Sequence, residues 1–163
     1  MDKNPEIQFR FSASSDSPFI RDLSTRAFDP FGEYGDVVFK WHVSGKSITV
    51  IASYEESPLG FAMVSKPFSR YDQNNSSELL AIAIETAWQG KGVGKLLIKK
   101  IEQAASEAGI MTVFLHTAVE NRNARKLFSD TGYRIWQIKK NFYPRGQDAC
   151  VMAKKLSGNS QGL

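Results

Sequence analysis

The chain has 163 residues and a formal net charge of +4, enough for one domain with a single sizeable core. Its 42% hydrophobic and 23% charged residues are ordinary for a soluble globular protein, and no apolar stretch approaches the roughly 20 residues that span a membrane. The lysines and arginines are spread along the chain rather than gathered in a basic tail, which argues against nucleic acid and suits a phosphorylated small ligand. The first residues, MDKNPEIQFRF, lack the apolar core of a signal peptide, and the one cysteine, Cys150, has no partner for an internal disulfide. Both features point to a reducing, cytoplasmic setting.

In chain order, alternating apolar and polar residues from Ile7 predict a half-buried strand. Ser17 before Pro18 reads as a helix cap, with Ile20, Leu23 and Ala27 on one face. FDPFGEYGD is loop, followed by a short helix with Val37, Val38 and Trp41 inward. SITVIASY and LGFAMVSK form a hairpin around EESP. PFSRYDQNNSS is polar and turn-rich, hence a mobile loop. ELLAIAIE has the near-continuous apolar character of a buried central strand.

Val93, Leu97, Ile101, Ala104 and Ala108 then recur at helical spacing up to Gly109. TVFLHTAV is another buried strand. Asn121 or Asn123 caps a helix that carries Ala124, Leu127 and Phe128 and ends at Gly132. YRIWQIKKNFY and ACVMAKKL make a final strand pair around PRGQD. The order βααβββαβαββ is a mixed α/β layered domain. No internal repeat or linker divides it, so residues 1–156 read as a single domain and 157–163 as a disordered tail.

Between a buried strand and a long helix lies Gln89-Gly90-Lys91-Gly92-Val93-Gly94. The first turn of a helix has unpaired N–H groups and a positive dipole end, and glycine lets an anion approach the backbone without meeting a Cβ. The alternative is a tight turn with no ligand. The Walker loop is excluded because no lysine-serine pair follows the required gap, and the dinucleotide fingerprint because the glycines stand at 90, 92 and 94.

Q-x-x-G-x-G at this place resembles the acetyl-CoA signature of the GNAT superfamily of N-acetyltransferases. NRNARKLFSDTGYR is similar to a second segment of that family, N-x-x-A-x-x-L-Y-x-x-x-G-F, through Asn121, Ala124, Leu127, Gly132 and Tyr133. Element order agrees from about Ile7 to Leu156. The resemblance implies a mostly antiparallel central sheet of about seven strands with about four helices on both faces, no metal, and acetyl-CoA as co-substrate. The tail KKNFYPRGQDACVMAKKL resembles the last hairpin of protein N-terminal acetyltransferases of the ribosomal-protein-alanine type, which makes Asn141, Phe142 and Tyr143 substrate-side candidates. An amphipathic hairpin with two core aromatics is the alternative.

By that resemblance the pyrophosphate lies on backbone N–H groups from Lys91 to Lys95, after Gln89 and Gly90. The pantetheine pairs with the edge of Ile82, Ala83 and Ile84, and Asn121 holds its arm. The N–H of Ile82 faces the developing oxyanion. Lys95, Lys99, Arg122 and Arg125 are within reach of the CoA phosphates, or are simply solvated. Two residues qualify as base. Glu78 falls where histone-type relatives have glutamate, and His116 where some N-terminal acetyltransferases have histidine. Each also has a bland reading, a strand-end charge or a satisfied half-buried histidine. An imidazole, which ordinarily titrates at about 6.5, suits an α-amine at about 7.7–8.0 better than a lysine at about 10.4. Many relatives carry a tyrosine as acid where this chain has Phe128, so Tyr143, Tyr133 or water must protonate the thiolate. The implied acceptor is a primary amine, a protein N-terminus first and a small molecule second. An acetyl-CoA-binding regulatory module without turnover is the rival. The chain is read as a monomer or homodimer.

Overall fold

The computed structural model describes residues 5–32, 34–67 and 75–157. Seven strands, β1 (Gln8–Phe11), β2 (Ser47–Tyr54), β3 (Ser57–Ser65), β4 (Ser76–Ile84), β5 (Thr112–Ala118), β6 (Arg134–Lys139) and β7 (Ala149–Lys155), form one sheet in the order β1-β2-β3-β4-β5-β7-β6. Every neighbouring pair is antiparallel except β4 and β5. Helices α1 (Ser17–Phe28) and α2 (Tyr34–Val43) cover one face, and α3 (Val93–Glu107) and α4 (Arg122–Asp130) the other. No helix among the described residues is long and apolar enough to cross a membrane.

Two cores follow from the strand period of two. Leu79, Val113, Leu115, Cys150 and Met152 pack under α3, against Leu97, Ile98 and Ile101. Ile51, Phe61, Met63, Ala81 and Ala83 pack under α1, against Ile20 and Leu23. In β4 the alternation breaks. Leu79 faces α3, but Leu80 and Ala81 both lean toward α1, after which Ile82 and Ile84 return to the α3 side. The pairing of β3 with β4 shifts at the same place, Met63 opposite Ala81 and Val64 opposite Leu79, so Leu80 is the extra residue of a β-bulge.

Several boundaries differ from the sequence reading. The β2–β3 turn closes on Glu55 and Glu56, both at positive φ (47° and 66°), so β3 begins at Ser57 rather than Leu59. Pro58 is accommodated next to a register shift, where a missing N–H does least harm. The chain around Asp29–Phe31 is a 3-10 turn and α2 already starts at Tyr34 inside the expected loop. Its inward face is set by Gly35 and Val38, which leaves Val37 exposed. A Cβ on Gly35 would collide with Thr25, so glycine is what lets α1 and α2 touch. In α1, Ser24 and not Ala27 joins Ile20 and Leu23 inside. Asp16 precedes that helix and Ser17 is its first residue. In α3, Ala105 is buried while Ala108 is the exposed C-cap before Gly109 at φ 88°. Strand β6 stops at Lys139 because Asn141 turns to φ 49° and its N–H donates to Asp148. Residues 68–74 of the expected loop and 158–163 of the expected tail lie outside the described residues.

His42, which no motif marked, pins the α1–α2 layer to the sheet. Its Nδ1 meets Ser17 Oγ at 2.7 Å and its Nε2 meets Ser12 Oγ at 2.9 Å. Burial holds its titration below the ordinary histidine value, opposed by the charge of Asp16. The fold therefore prefers the neutral ring. That contribution is complete above the unfolded value of about 6.5 and is lost as pH falls through it toward the lower folded value. Thermal melts at pH 7.5, 6.5 and 5.5 are expected to show a falling melting temperature, and His42→Gln is expected to flatten this slope.

Candidate active site at the fork of the sheet

Strands β4 and β5 are paired only from Ser76–Glu78 to Thr112–Phe114. Beyond that β4 continues to Ile84 on β3 and β5 continues to Ala118 on β7, so the sheet opens into a cleft. The bulge at Leu80 lies one turn of the pleat past the fork. It swings β4 away and leaves the β5-facing edge of Leu79–Ile84 without a strand partner among the described residues.

At the mouth of the cleft, Gln89 Nε2 donates to the Ile84 carbonyl at 3.0 Å, tying the glycine loop to the end of β4. Gly90 and Gly92 have φ of 74° and 84°, and a Cβ at either would meet nothing within 4 Å. The left-handed backbone requires glycine there, and the space in front of it stays open. Gly94 is different. Its Cβ would come within 3.1 Å of Leu127 and 3.3 Å of Ile84, so it seats the first turn of α3 against α4 and β4. Leu96 N–H donates to the Gly92 carbonyl at 3.3 Å, which leaves the N–H groups of Gly92, Val93, Gly94 and Lys95 as the unpaired donors of the helix start. Lys91 lies over the Trp88 ring, and Lys95 stands 4.0 Å from Asp130.

Asn121, rather than Asn123, caps α4. Its Oδ1 accepts from the Ala124 N–H at 3.2 Å, and no protein acceptor meets its Nδ2 among the described residues. The asparagine thus orders the helix and keeps its amide donors for the cleft, whose wall it joins together with His116 and Tyr143.

The two candidate bases are brought together. His116 Nδ1 is 2.8 Å from Glu78 Oε1, with the imidazole mostly buried. Glu78 and His116 share the α1 side of the sheet because Glu78 is opposite Phe114, two residues before His116. The ring of Phe142 stacks on the imidazole at 4.7 Å and 3°. Lys139, a residue the sequence did not single out, places Nζ 3.3 Å from His116 Nε2.

The side of the cleft that carries Tyr143 is aromatic. Tyr143 lines it with Phe28, Phe31, Tyr34 and Leu80. Tyr143 contacts Phe31 at 5.8 Å and Tyr34 at 6.1 Å between ring centres. The β6–β7 connection is fastened over this side by Gln147 and Arg145, which both donate to the Pro30 carbonyl. Burial first, and then the nearby Tyr34 and Glu78, push the Tyr143 phenol well above its ordinary value. Tyr34 is pushed up by burial and then by Glu78. Both phenols therefore stay protonated at neutral pH, and the upward shift makes them weaker acids than a free tyrosine.

Tyr133 is not available to the cleft. It is 2% exposed, and its hydroxyl donates to Glu102, which also holds Lys154. Phe128 is 4% exposed and packs edge-on to Tyr133 in the core under α4. Phe31 and Tyr34 escaped the sequence because they lie in a stretch read as loop, and Lys139 because it opens the KKNFYPRGQDACVMAKKL segment without being one of its matched residues. They meet because the α1–α2 junction, which carries Phe31 and Tyr34, and the end of β6, which carries Lys139, are brought to the same side of the fork.

Residues 17–133 match the family model described as Acetyltransferase (GNAT) family. The chain belongs to this family. It is 36% identical over 83 residues to the ribosomal protein bS18-alanine N-acetyltransferase of Haemophilus influenzae, a match covering 48% of this chain and 56% of that protein. The alignment thus spans about half the length of such curated relatives. Among solved structures, the ribosomal-protein-alanine N-acetyltransferase of Escherichia coli superposes with a TM-score of 0.77 at 20% identity, covering 97% of this chain and 99% of the other. A Salmonella typhimurium protein, yncA, solved with acetyl-CoA as its cofactor, gives 0.79 at 16% identity, covering 96% and 97%. At these identities the structural likeness establishes the shared fold.

Phe128 yields a stability test. A hydroxyl added at its buried ring has no partner, so Phe128→Tyr is expected to cost about 1–3 kcal/mol in denaturant unfolding. No rise in turnover should accompany that loss. A rate gain at unchanged stability would place the ring edge in the cleft instead.

Proposed function

We propose that the chain is an acetyl-CoA-dependent N-acetyltransferase acting on a primary amine, with a protein N-terminal α-amine as its acceptor. The observation that carries this reading is the His116–Glu78 pair set at the fork of β4 and β5, with an open glycine loop at the other end of the same cleft. The relatives named as ribosomal-protein-alanine acetyltransferases support the α-amine in particular. A cytoplasmic setting fits the single, buried, free Cys150.

Acetyl-CoA fits the groups present. Its pyrophosphate needs donors without side chains in front of them, and Gly90 and Gly92 leave that space empty beside the start of α3. Its pantetheine amides need an unpaired strand edge, and Ile82, Ala83 and Ile84 lie on one. When bound, it supplies the acetyl thioester. Backbone N–H groups from Lys91 to Lys95 then hold the phosphates, Asn121 Nδ2 orients the pantetheine arm, and the Ile82 N–H stabilises the oxyanion. His116 takes the amine proton, and Glu78 stabilises the imidazolium that results. Tyr143, in the wall of the cleft, is the phenol placed to return a proton to the leaving sulfur, a step that its upward shift makes harder and to which Phe128 brings no acidic group.

A second reading, an acetyl-CoA sensor without turnover, rests on Phe128 at the position of the family acid. A screen of N-terminal peptides, lysine peptides and small amines with CoA release as readout decides between them. Turnover on α-amines is expected. Tight acetyl-CoA binding with no turnover across the panel would select the sensor, and preference for small amines would move the acceptor class.

Two variants test the assignments. Gly92→Asp puts a negative side chain into the open space of the loop, and calorimetry is expected to show acetyl-CoA binding at least about tenfold weaker, or roughly 1.4 kcal/mol. His116→Ala is expected to lower kcat by about 100-fold or more with little change in acetyl-CoA affinity, and Glu78→Gln to be milder. The opposite ranking would transfer the base to Glu78.

A further inference from the structure

Three side chains fix the state of the His116 ring. Glu78 is a carboxylate and can only accept, so the proton on that side belongs to Nδ1. Lys139 is an ammonium and can only donate, so the nitrogen it approaches at 3.3 Å, Nε2, must present a lone pair. With the Nδ1 proton directed at Glu78, the lone pair of the ring is the one at Nε2. The two charges act on it in opposite directions. Glu78 favours the imidazolium, and Lys139 disfavours it. Lys139 reaches this place across β7. It pairs with Ala149 in β6–β7 while His116 pairs with Val151 in β5–β7. Phe142 holds both partners, stacking on the imidazole and taking the Lys139 ammonium 5.6 Å from its ring centre.

We propose that Lys139 is a positioning residue for the transfer reaction, which keeps His116 Nε2 unprotonated against the pull of Glu78 so that the ring begins each cycle as a base. This rests on the reading of His116 as the residue that takes the amine proton. Among the described residues, the other titratable groups at the site are Tyr34 from α2 and Tyr143 from the β6–β7 connection, both phenols pushed up and uncharged at neutral pH. Phe114 and Phe142, the ring neighbours on β5 and the connection, carry no charge. Glu78 and Lys139 are therefore the two charges that oppose each other at the imidazole. A carboxylate alone stabilises the imidazolium that forms, and an ammonium on the other side of the ring offsets that pull, so the proton is given up more readily. Lys139 leaves the Nε2 lone pair for the amine proton to enter, and that proton then passes from Nε2 to solvent, which resets the ring.

The test compares Lys139→Met and Lys139→Arg in the full chain. Nitrogen-15 NMR follows the imidazole of His116 against pH with no substrate present, the second histidine being assigned with His42→Gln. In Lys139→Met the doubly protonated ring is expected to persist to about one pH unit higher than in the wild type. Lys139→Arg, which keeps the charge, is expected to restore the wild-type titration. In the activity assay the acid limb of kcat/KM for Lys139→Met should move upward by the same interval. The loss, about tenfold on that limb, should then disappear at alkaline pH. An unmoved NMR titration would overturn the proposal whether or not an acceptor has been found. A moved titration with no activity in the wild type would leave the electrostatic role standing and sink only the acetyltransferase reading. A loss of rate that is independent of pH, or that Lys139→Arg fails to repair in a variant with wild-type melting temperature, would show that Lys139 serves packing alone.

Discussion

Strand β4 parts from β5 after Glu78, and the rest of the molecule is arranged to keep that opening from closing. Two adjacent parallel strands would ordinarily zip along their whole length, since unpaired backbone groups in a sheet interior are costly. The extra residue at Leu80 prevents this. It turns Leu80 and Ala81 to one side and re-aims the strand end. The register of β3 is shifted to match, and Gly60 of β3, whose Cβ would stand 2.9 Å from the Ala83 carbonyl, lets the strands stay close under α3. The cleft is thus built by removing hydrogen bonds from the middle of a sheet, and the exposed edge that results is a template for a ligand with amides of its own.

Placement of the glycine loop follows from the same break. The loop leaves the end of β4 where the strand is already free of β5. Gln89 fastens it back to Ile84, while Gly94 brings α3 down onto Leu127. The donors of the helix start therefore sit beside the free end of β4. At the other end, the 3-10 turn after α1 and the β6–β7 connection meet through Pro30, Gln147 and Arg145, and their aromatic rings close the side that carries Tyr143. Charge is concentrated at the fork, where Glu78 and Lys139 flank one imidazole. A phenol is absent from α4 at Phe128 and present in the β6–β7 connection at Tyr143. These two sites differ in burial and neighbours: Phe128 is in the core under α4, and Tyr143 lines the cleft.

The amino-acid sequence by itself determined whatever depends on near neighbours in the chain. The order of strands and helices follows from periodicity. The anion-ready loop follows from glycines at 90, 92 and 94 before a helical pattern, and the α4 cap from a single asparagine and its i+3 N–H. These are local effects, decided within a few residues by sterics and by hydrogen bonds of one turn. Tertiary structure decided the rest. Val37 and Ala27 fit an inward stripe by spacing yet lie outside; the buried stripe runs through Val38 in α2 and through Ile20, Leu23 and Ser24 in α1, and the two helices meet where Gly35 lies against Thr25. The bulge at Leu80 is a relation between two strands and leaves no mark in either alone. The union of Glu78 with His116, 38 positions apart, and of His116 with Lys139, 23 apart, requires the parallel pairing of β4 with β5 and the insertion of β7 between β5 and β6. Side chains so distant in the chain meet only once the sheet order is fixed, and that order is chosen by burial of both faces at once, a property of the whole domain.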